Sequence, residues 1–473
     1  MTFFLPPLGL ILLWCSSQIR RSTKLLGTGY VLAYSVLYLV ALVSILAYGF
    51  RVDLIKWRKG YQPVFVVSKR LSNDNKYGLS HPEIHDSHSG SWTGFRGENR
   101  DGVYRGKAIG TNWPTSGPRQ LWRRAVGSGY SSMTIAEGLV FTIEQRREKE
   151  VAAAYDAESG REIWRQAWKA KFDEAFGGEG PRATPTYDDG RLYVQGATGN
   201  LLCLEAASGR LNWQRNIIVE NQTDLTVYGV ATSPLIVDEK VIVLPGGRNR
   251  KSVVAYNKFN GALLWQSMSD RQAYTSPMLV TLAGEKQILV VSARDIMGLS
   301  PEEGRLLWQT QWVIPNDNAI AQPVLLGPTR FLVSAGYGVG SVAFELTRAN
   351  SGFMLRELWR NRYLKNKFSS SVVFNGYIYG LDETILTCLD AATGARQWKE
   401  GRYGYGQLLL AGEHLIILGE DGTLALVDAT PTEYRERARF QAIVGKTWNY
   451  PAMANGKVFV RNAAEMACYD LGQ

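Results

Sequence analysis

The chain has 473 residues, a formal net charge of +10, four cysteines and only four histidines. Nine basic residues and one acidic residue precede position 71, so the net charge of the rest of the chain is near +2. The positive surplus therefore flanks an apolar segment and does not indicate a nucleic-acid partner. Three histidines share one polar stretch and the fourth is His414, so the sequence offers no Ser-His-Asp or Cys-His arrangement for nucleophilic catalysis.

A membrane anchor is predicted over residues 1–60. Residues 25–50 are an uncharged apolar run that is long enough to cross a hydrocarbon core of about 30 Å as a transmembrane helix. A shorter apolar stretch within residues 3–18 is broken by two prolines. Three interpretations of that stretch stay open: a first span, a re-entrant segment or part of a signal.

Basic residues on both sides of the long helix bear on its orientation. Arg20, Arg21 and Lys24 precede it, and the positive-inside tendency then places the following chain outside the cytoplasm. The basic cluster at residues 56–59 argues for the opposite orientation, although Trp57 within it is typical of a segment that lies on lipid head groups. We predict the first orientation.

Residues 61–91 are predicted to form a linker, because Ser, Asn, Asp, His and Gly replace apolar periodicity from residue 71 onward. On a helix, the histidines and acids of this stretch would share one face and hold a metal ion: His81, Glu83, His85, Asp86 and His88. Pro82 and the neighbouring Ser and Gly residues disfavour a helix, so a solvated linker is the favoured interpretation.

Residues 92–102, WTGFRGENRDG, combine aromatic, Arg, Asn, Asp and Gly residues in a short stretch. This composition predicts a compact loop whose polar side chains bond to backbone. The favoured interpretation is a brace across one end of the domain that follows, and a ligand site is the alternative.

Residues 92–473 repeat one four-stranded unit. Its clearest copy, residues 180–213, contains four short strands and an Asp189-Gly190 hairpin turn, and it ends on Trp213. The end of the unit recurs as AYDAESGREIW, CLEAASGRLNW, AYNKFNGALLW, GLSPEEGRLLW and CLDAATGARQW. A period of roughly 40–50 residues with four strands per period predicts the blades of a β-propeller.

The two ends of the array predict how the ring closes. A strand that ends near Trp122 has no meander before it, whereas the last unit has only three strands. If the early strand completes the last unit, the fold is an all-β, eight-bladed propeller of four-stranded antiparallel blades, preceded by the transmembrane helix. The repeated tryptophans are then wedges between blades. Cys203, Cys388 and Cys468 fall on equivalent third strands of separate blades, which predicts buried, unpaired thiols.

The repeat tail, as in CLDAATGARQW, resembles that of the pyrroloquinoline-quinone-like propellers of the quinoprotein alcohol dehydrogenase-like superfamily, and WTGFRGENRDG resembles the opening motif of their short bacterial members. The resemblance covers about residues 92–473. It implies an eight-bladed ring outside the cytoplasm, here tethered to a bacterial inner membrane on its periplasmic side. The family includes quinoprotein alcohol dehydrogenases and non-enzymatic propellers similar to the scaffold subunit of the outer-membrane protein assembly machine.

The enzymatic members imply pyrroloquinoline quinone (PQQ) in the central channel, a calcium ion and an aspartate base. They also carry a vicinal cysteine disulfide, and some carry a Cys-x-x-Cys-His haem motif. This chain has neither cysteine motif. The favoured hypothesis is therefore a non-catalytic scaffold with envelope protein partners on its end faces and no cofactor. The alternative is a PQQ- and calcium-dependent oxidoreductase.

Any ligand of a propeller would meet the first strands of the blades, which line the channel. The candidate residues on these strands are polar: Ser131, Arg182, Thr184, Ser233, Thr275, Gln322, Gln407 and Asn449. Arg182 would meet an anion. In the oxidoreductase alternative, Asp317 and Asn318 are the candidate calcium ligands, although such a cluster is more often a turn.

Overall fold

The computed structural model describes residues 91–350 and 352–472, which form eight sheets, seven with four strands and one with five. Two strands, β1 (Val103–Tyr104) and β2 (Gln120–Ala125), precede the first complete meander. Blade 1 consists of β3 (Thr134–Ala136), β4 (Leu139–Arg146), β5 (Lys149–Asp156) and β6 (Glu162–Lys169). Blade 2 consists of β7 (Thr186–Asp188), β8 (Arg191–Gln195), β9 (Asn200–Glu205) and β10 (Leu211–Asn216), and a short helix, α1 (Ile217–Asn221), follows it.

The next four blades repeat this order. Blade 3 consists of β11 (Leu235–Val237), β12 (Lys240–Val243), β13 (Val253–Asn257) and β14 (Leu263–Ser267). Blade 4 consists of β15 (Met278–Leu282), β16 (Glu285–Val291), β17 (Asp295–Leu299) and β18 (Leu306–Gln311). A 3-10 turn, Pro315–Asp317, leads to blade 5, which consists of β19 (Val324–Leu325), β20 (Arg330–Ala335), β21 (Gly340–Ala349) and β22 (Gly352–Asn361). Blade 6 consists of β23 (Val372–Phe374), β24 (Tyr377–Asp382), β25 (Ile385–Asp390) and β26 (Arg396–Arg402).

The last two blades bind the early strands. Blade 7 consists of β27 (Gln407–Ala411), β28 (His414–Leu418), β29 (Thr423–Asp428) and β30 (Glu436–Gln441). Blade 8 consists of β31 (Ala452–Ala454), β32 (Lys457–Arg461) and β33 (Glu465–Asp470), and β2 pairs antiparallel with β33 as its fourth strand. The predicted eight blades and their closure are confirmed.

A second attachment of the N-terminal segment was not predicted from the sequence. Strand β1 pairs in parallel with β27, the innermost strand of blade 7, so that Val103 lies opposite Leu410. The N-terminal segment therefore fastens both blade 7 and blade 8. No helix among the described residues is long and apolar enough to cross a membrane, and the predicted anchor and nearly all of the predicted linker, residues 1–90, lie outside those residues.

Local chemistry explains the meanders. The hairpin between β7 and β8 turns at Asp189 and Gly190, with φ of 45° and 72°, which is the left-handed pair that the sequence predicted there. The inner strands of a blade are buried on both faces, whereas the fourth strand alternates more. The three cysteines are free, buried and on third strands, as expected.

The hydrophobic core lies between neighbouring blades. Phe141 and Trp164 of blade 1, for example, pack in one cluster with Leu192 and Leu204 of blade 2. Five fourth-strand tryptophans donate their indole N–H to a backbone carbonyl of the next blade at 2.8–3.1 Å: Trp122 to Ala157, Trp164 to Ala206, Trp213 to Lys258, Trp359 to Ala391 and Trp398 to Thr430. The predicted wedge role is confirmed.

A glycine lies beneath several of these indoles. Gly160 adopts φ +67, and a Cβ at this position would lie 2.6 Å from the ring of Trp122. Gly261 faces Trp213 and Gly304 faces Trp265 in the same way. The repeated Gly of each tail therefore serves two purposes, because it takes a left-handed φ and it admits the tryptophan of the preceding blade.

Blades 4 and 5 depart from this pattern. Trp308 donates to Gln287 Oε1 of its own blade at 2.6 Å, and it packs on Phe331 of blade 5. The hairpin β21–β22 is longer than its equivalents, and Phe353 and Leu355 of β22 pack against the cluster that contains Trp308. A longer hairpin thus replaces the glycine contact at this junction.

A matched pair of glycine substitutions tests the indole contact. Gly190→Ala places a Cβ in open space at φ +72, so we expect a loss of about 1–2 kcal/mol from the left-handed conformation alone. Gly160→Ala should cost about 1–3 kcal/mol more, because its Cβ overlaps the Trp122 ring. Denaturant unfolding measures both free energies. Equal losses would contradict the proposed contact.

Candidate functional site: the central channel

The segments that lead into the first strands of the blades carry three kinds of group in the same order along the chain. In blade 4, for example, Tyr274 comes first, Ser276 second and Pro277 third. In most of these segments an aromatic residue comes first, and a residue with a hydroxyl or amide side chain follows it. The backbone carbonyls that bind residues 92–102 come last. We call these three tiers the collar, the girdle and the plug site, and residues 92–102 the plug.

The girdle is a ring of hydrogen bonds from blade to blade. Backbone N–H groups donate to side-chain oxygens of the next blade at 2.8–3.1 Å, in the order Ser132 to Thr184, Thr184 to Ser233, Ser233 to Ser276, Ser276 to Gln322 and Gln322 to Ser370. Tyr450 of blade 8 closes the ring, because its hydroxyl is 2.8 Å from Ser370 Oγ and its carbonyl accepts from Ser132 Oγ at 2.6 Å. Blade 7 joins through Gln407, which donates to the carbonyls of Phe368 and Trp448.

Seven of the eight candidate channel residues belong to this tier. Each is no more than 2% exposed: Ser131, Thr184, Ser233, Thr275, Gln322, Gln407 and Asn449. Their side chains bond mainly to neighbouring blades; the amide of Asn449, for instance, donates to the carbonyl of Ser131 at 2.9 Å. The structure brings them together as a mutually bonded ring, and their role in ligand binding stays a prediction.

The eighth candidate, Arg182, lies apart from them at the collar. Its guanidinium pairs with Glu174 at 2.9 Å and donates to the carbonyls of Gly178 and Gly180. It also lies over the ring of Phe172, 4.6 Å from the centroid. Burial lowers the pKa of Arg182, and the Glu174 carboxylate partly opposes that shift. Arg182 is therefore engaged within the connection between blades 1 and 2.

The plug inserts Arg96 into the channel. This side chain is 1% exposed and donates to the carbonyls of Ser371, at 2.8 Å, and Asp101, at 3.0 Å. Its guanidinium lies over the Tyr450 ring at 5.2 Å. Gly102, at φ +75, allows this placement, because a Cβ there would lie 2.8 Å from the guanidinium carbon.

Arg100 extends from the plug to other blades. It is 4% exposed and donates to the carbonyls of Ser233 and Pro277, each at 3.0 Å, and to that of Pro234. The two arginines therefore connect blades 3 and 4 with blade 6. The predicted brace is confirmed by these contacts.

The buried arginines bind dipoles and no counter-ion. Neither Arg96 nor Arg100 forms an ion pair with a carboxylate of residues 91–350 and 352–472. Burial lowers the pKa of both guanidinium groups, because the charged form loses water. The strand carbonyls compensate for part of that lost hydration.

The collar consists of seven half-buried aromatic residues: Tyr130, Tyr228, Tyr274, Tyr337, Phe368, Tyr405 and Trp448. Phe368 contacts Trp448 and Tyr405, with centroids 4.8 and 5.3 Å apart, and Trp448 contacts Tyr130 at 5.5 Å. On the other side Tyr228 meets Tyr274 at 5.3 Å. The rings therefore surround the end of the channel opposite the plug.

Two lysines lie on these rings. The Lys367 ammonium is 4.5 Å from the centroid of Tyr405, and the Lys446 ammonium is 4.2 Å from that of Trp448. Such distances are those of cation–π contacts. Within the described part of the chain, neither lysine forms an ion pair with a carboxylate; Lys446 donates to the carbonyl of Gly177 at 3.3 Å.

The residues proposed for calcium do not converge on one point. Asp317 forms an ion pair with Arg271 at 2.6 Å, and Asn318 is buried and bonds to Tyr337. Both belong to the turn after blade 4, in which Asn316 and Asp317 adopt left-handed φ. Among the described residues, no group of three or more His, Cys, Asp and Glu side chains is placed to hold a metal ion. The side chains present therefore do not fit a calcium–quinone centre.

Two features of the site escaped the sequence analysis. The destination of Arg96 and Arg100 was not predicted, although an arginine-rich motif before the first blade was a signal. The collar was also missed, because the candidates for the channel lining were chosen for their polar side chains and the neighbouring aromatic residues were left out. The signal was an aromatic residue directly before the polar residues of several first strands.

Comparison with known proteins identifies the family of this propeller. A family profile described as "Outer membrane protein assembly factor BamB" (PQQ_2) matches residues 147–400, more than half of the chain. The chain belongs to this family. A curated relative, the outer membrane protein assembly factor BamB of Shewanella oneidensis, is 23% identical over 365 residues, which cover 66% of this chain and 89% of that protein.

Solved structures agree on the fold. BamB from Moraxella catarrhalis superposes with a TM-score of 0.53 at 13% identity and covers 74% of this chain and 97% of that one. Quinohemoprotein alcohol dehydrogenase ADHIIG from Pseudomonas putida HK5 gives 0.55 at 13% identity, with 81% of each chain covered. Since an assembly factor and a dehydrogenase match equally well, this likeness identifies the PQQ-like propeller and leaves the function to the site.

Substitution of a plug arginine should destabilise the domain. Arg100→Met leaves the carbonyls of Ser233, Pro234 and Pro277 without their donor, so we expect a loss of about 2–4 kcal/mol in the free energy of unfolding. The matched control is Arg105→Met, which removes an exposed ion pair with Asp101 and should cost less than about 1 kcal/mol. Denaturant titration distinguishes the two, and an unaffected Arg100 variant would contradict the role of the plug.

Proposed function

We propose that this protein is a non-catalytic scaffold propeller of the cell envelope that takes part in the assembly of outer-membrane proteins. The family assignment supports this function, as does the name of the Shewanella oneidensis relative, outer membrane protein assembly factor, which this chain covers over most of its length. A scaffold of this kind presents loops on its two end faces to protein partners, because the radial arrangement of blades leaves only short, protected strand edges.

One observation carries the proposal: the channel is filled by the chain's own side chains. The girdle residues are buried and bond to one another, and Arg96 and Arg100 occupy the plug site. A quinone held flat in the channel would have to displace these interblade bonds. The oxidoreductase alternative gains no support from the cysteines, since Cys203, Cys388 and Cys468 are buried in separate blades and cannot form a vicinal disulfide.

The domain boundaries of this proposal are 1–60 for the membrane anchor, 61–91 for the linker and 92–473 for the propeller. The apolar run at residues 25–50 is proposed to tether the propeller to the inner membrane, with the blades on the periplasmic side. Membrane fractionation and protease accessibility in spheroplasts test this arrangement. Recovery of the chain in the outer-membrane fraction would contradict the tether.

Gene deletion tests the proposed role. We expect the deletion strain to contain less folded outer-membrane β-barrel protein, measured as the heat-modifiable band of a major barrel protein on gels, and to recover it when the wild-type chain is restored. Assembly that proceeds at the wild-type rate and level without this chain would overturn the proposal. An unrelated periplasmic deletion serves as the control.

Ligand titration tests the oxidoreductase alternative. Full-length protein is titrated with pyrroloquinoline quinone in excess calcium, and tryptophan fluorescence and the thermal midpoint are followed. Because the channel is filled, we expect neither saturation in the micromolar range nor a calcium-dependent rise in the midpoint. A saturable, calcium-dependent rise would revive the enzyme hypothesis, and dye-linked alcohol oxidation would then be assayed.

A further inference from the structure

The end of the channel opposite the plug carries a surface that the fold does not explain. The girdle bonds join the blades and the plug closes the other end, but the collar lysines are not needed for either. Lys367 contacts the rings of Tyr337, Phe368 and Tyr405, and Lys446 contacts those of Tyr130 and Trp448. Two ammonium groups therefore stand among aromatic faces around one opening.

Two acidic groups beside the collar rings, Glu174 and Glu420, are occupied by local donors. Glu174 pairs with Arg182 and accepts the backbone N–H of Gly177 at 2.6 Å. Glu420 accepts from the indole N–H of Trp448 at 2.8 Å and from the backbone N–H of Tyr405 at 3.1 Å. Within the described residues the lysines have no such carboxylate partner. The positive charge available beside the rings is therefore that of Lys367 and Lys446, while the exposed Asp173 and Asp224 lie on the connections that carry Phe176 and Val227.

Apolar side chains surround the same opening. Phe176 is 76% exposed, Val227 66%, Val313 66% and Val444 73%. Each lies on a connection from the fourth strand of one blade to the first strand of the next, and these connections also carry most of the collar rings. The end face therefore combines a cationic, aromatic centre with an apolar rim contributed by separate blades.

We propose that this collar face binds an acidic peptide segment of a partner protein, with carboxylates on Lys367 and Lys446 and apolar side chains on the rim. A small anion would reach the lysines but leave the exposed Phe176 and Val227 uncovered. A peptide covers both. The inference deepens the proposed scaffold function and rests on it, because it names the surface and the chemistry of the partner.

A fluorescent twelve-residue peptide that alternates Asp with Phe and Leu is the probe, and full-length protein is the binder. We expect saturable anisotropy binding that weakens as salt rises from 50 to 500 mM, since the contact is ionic. The charge-reversed peptide, with Lys in place of Asp, should bind at least ten-fold more weakly. Equal binding of the two peptides would overturn the proposal.

Matched lysine variants locate the contact. The double variant Lys367→Gln, Lys446→Gln should bind the acidic peptide at least ten-fold more weakly than the wild-type protein, and its thermal midpoint should be unchanged. Lys240→Gln with Lys286→Gln removes two lysines beside first-to-second-strand turns at the plug end, and should leave binding unchanged. Phe176→Ser with Val227→Ser should weaken binding three-fold or more. Unchanged binding in the Lys367 and Lys446 variant would place the peptide elsewhere and overturn the assignment.

A lipid surface is the competing occupant. Vesicles of phosphatidylglycerol that bind through the same two lysines and displace the peptide at low lipid concentration would overturn the peptide assignment. The deletion test is independent of this one. If the peptide binds but gene deletion has no effect, only the proposed role in assembly is contradicted. If deletion causes an assembly defect but the peptide does not bind, only the collar assignment is contradicted.

Discussion

The contact of a fourth-strand indole with a glycine of the next blade stabilises five of the eight blade junctions. A single blade has two faces and about thirty residues, which cannot bury enough apolar surface to be stable alone. An indole between blades buries on the order of 150–250 Å², an upper bound of about 4–6 kcal/mol for each junction. Its N–H also donates to a carbonyl in the turn between the third and fourth strands of the next blade, as with Trp164 and Ala206.

The channel follows from the same constraint. Because the blades converge, their first strands approach one another and bring polar backbone into a space where little water remains. In the girdle, a backbone N–H of one blade donates to a side chain of the next blade, as between Thr184 and Ser233, so the buried N–H is paired. Arg96 and Arg100 pair backbone carbonyls further along the same segments. Most of the polar lining is satisfied in this way, whereas Gln407 Oε1, Asn449 Oδ1 and Arg96 Nε are buried without a hydrogen-bond partner among the described residues.

The sequence predicted what depends on local pattern. Repeat length, the Asp189-Gly190 turn, the wedge tryptophans and the completion of the last blade by the strand of Trp122 were all deduced from spacing, and the structure agrees. The contacts of Arg96 were beyond this approach, since its acceptor Ser371 lies 275 residues away and nothing local marks that pairing. The collar was missed for a related reason. Alternation within a strand indicates which face a residue lies on, but not which side chains meet across the channel.

Closure by β2 has a consequence for biosynthesis. Trp122 emerges from the ribosome early, but its partner Cys468 is made roughly 350 residues later. At about 5–20 residues per second, the first strand waits roughly 20–70 s for its place in a sheet. During that interval β2 is an unpaired strand, and such an edge invites wrong partners. The final fold is therefore reached only when the last strand is complete.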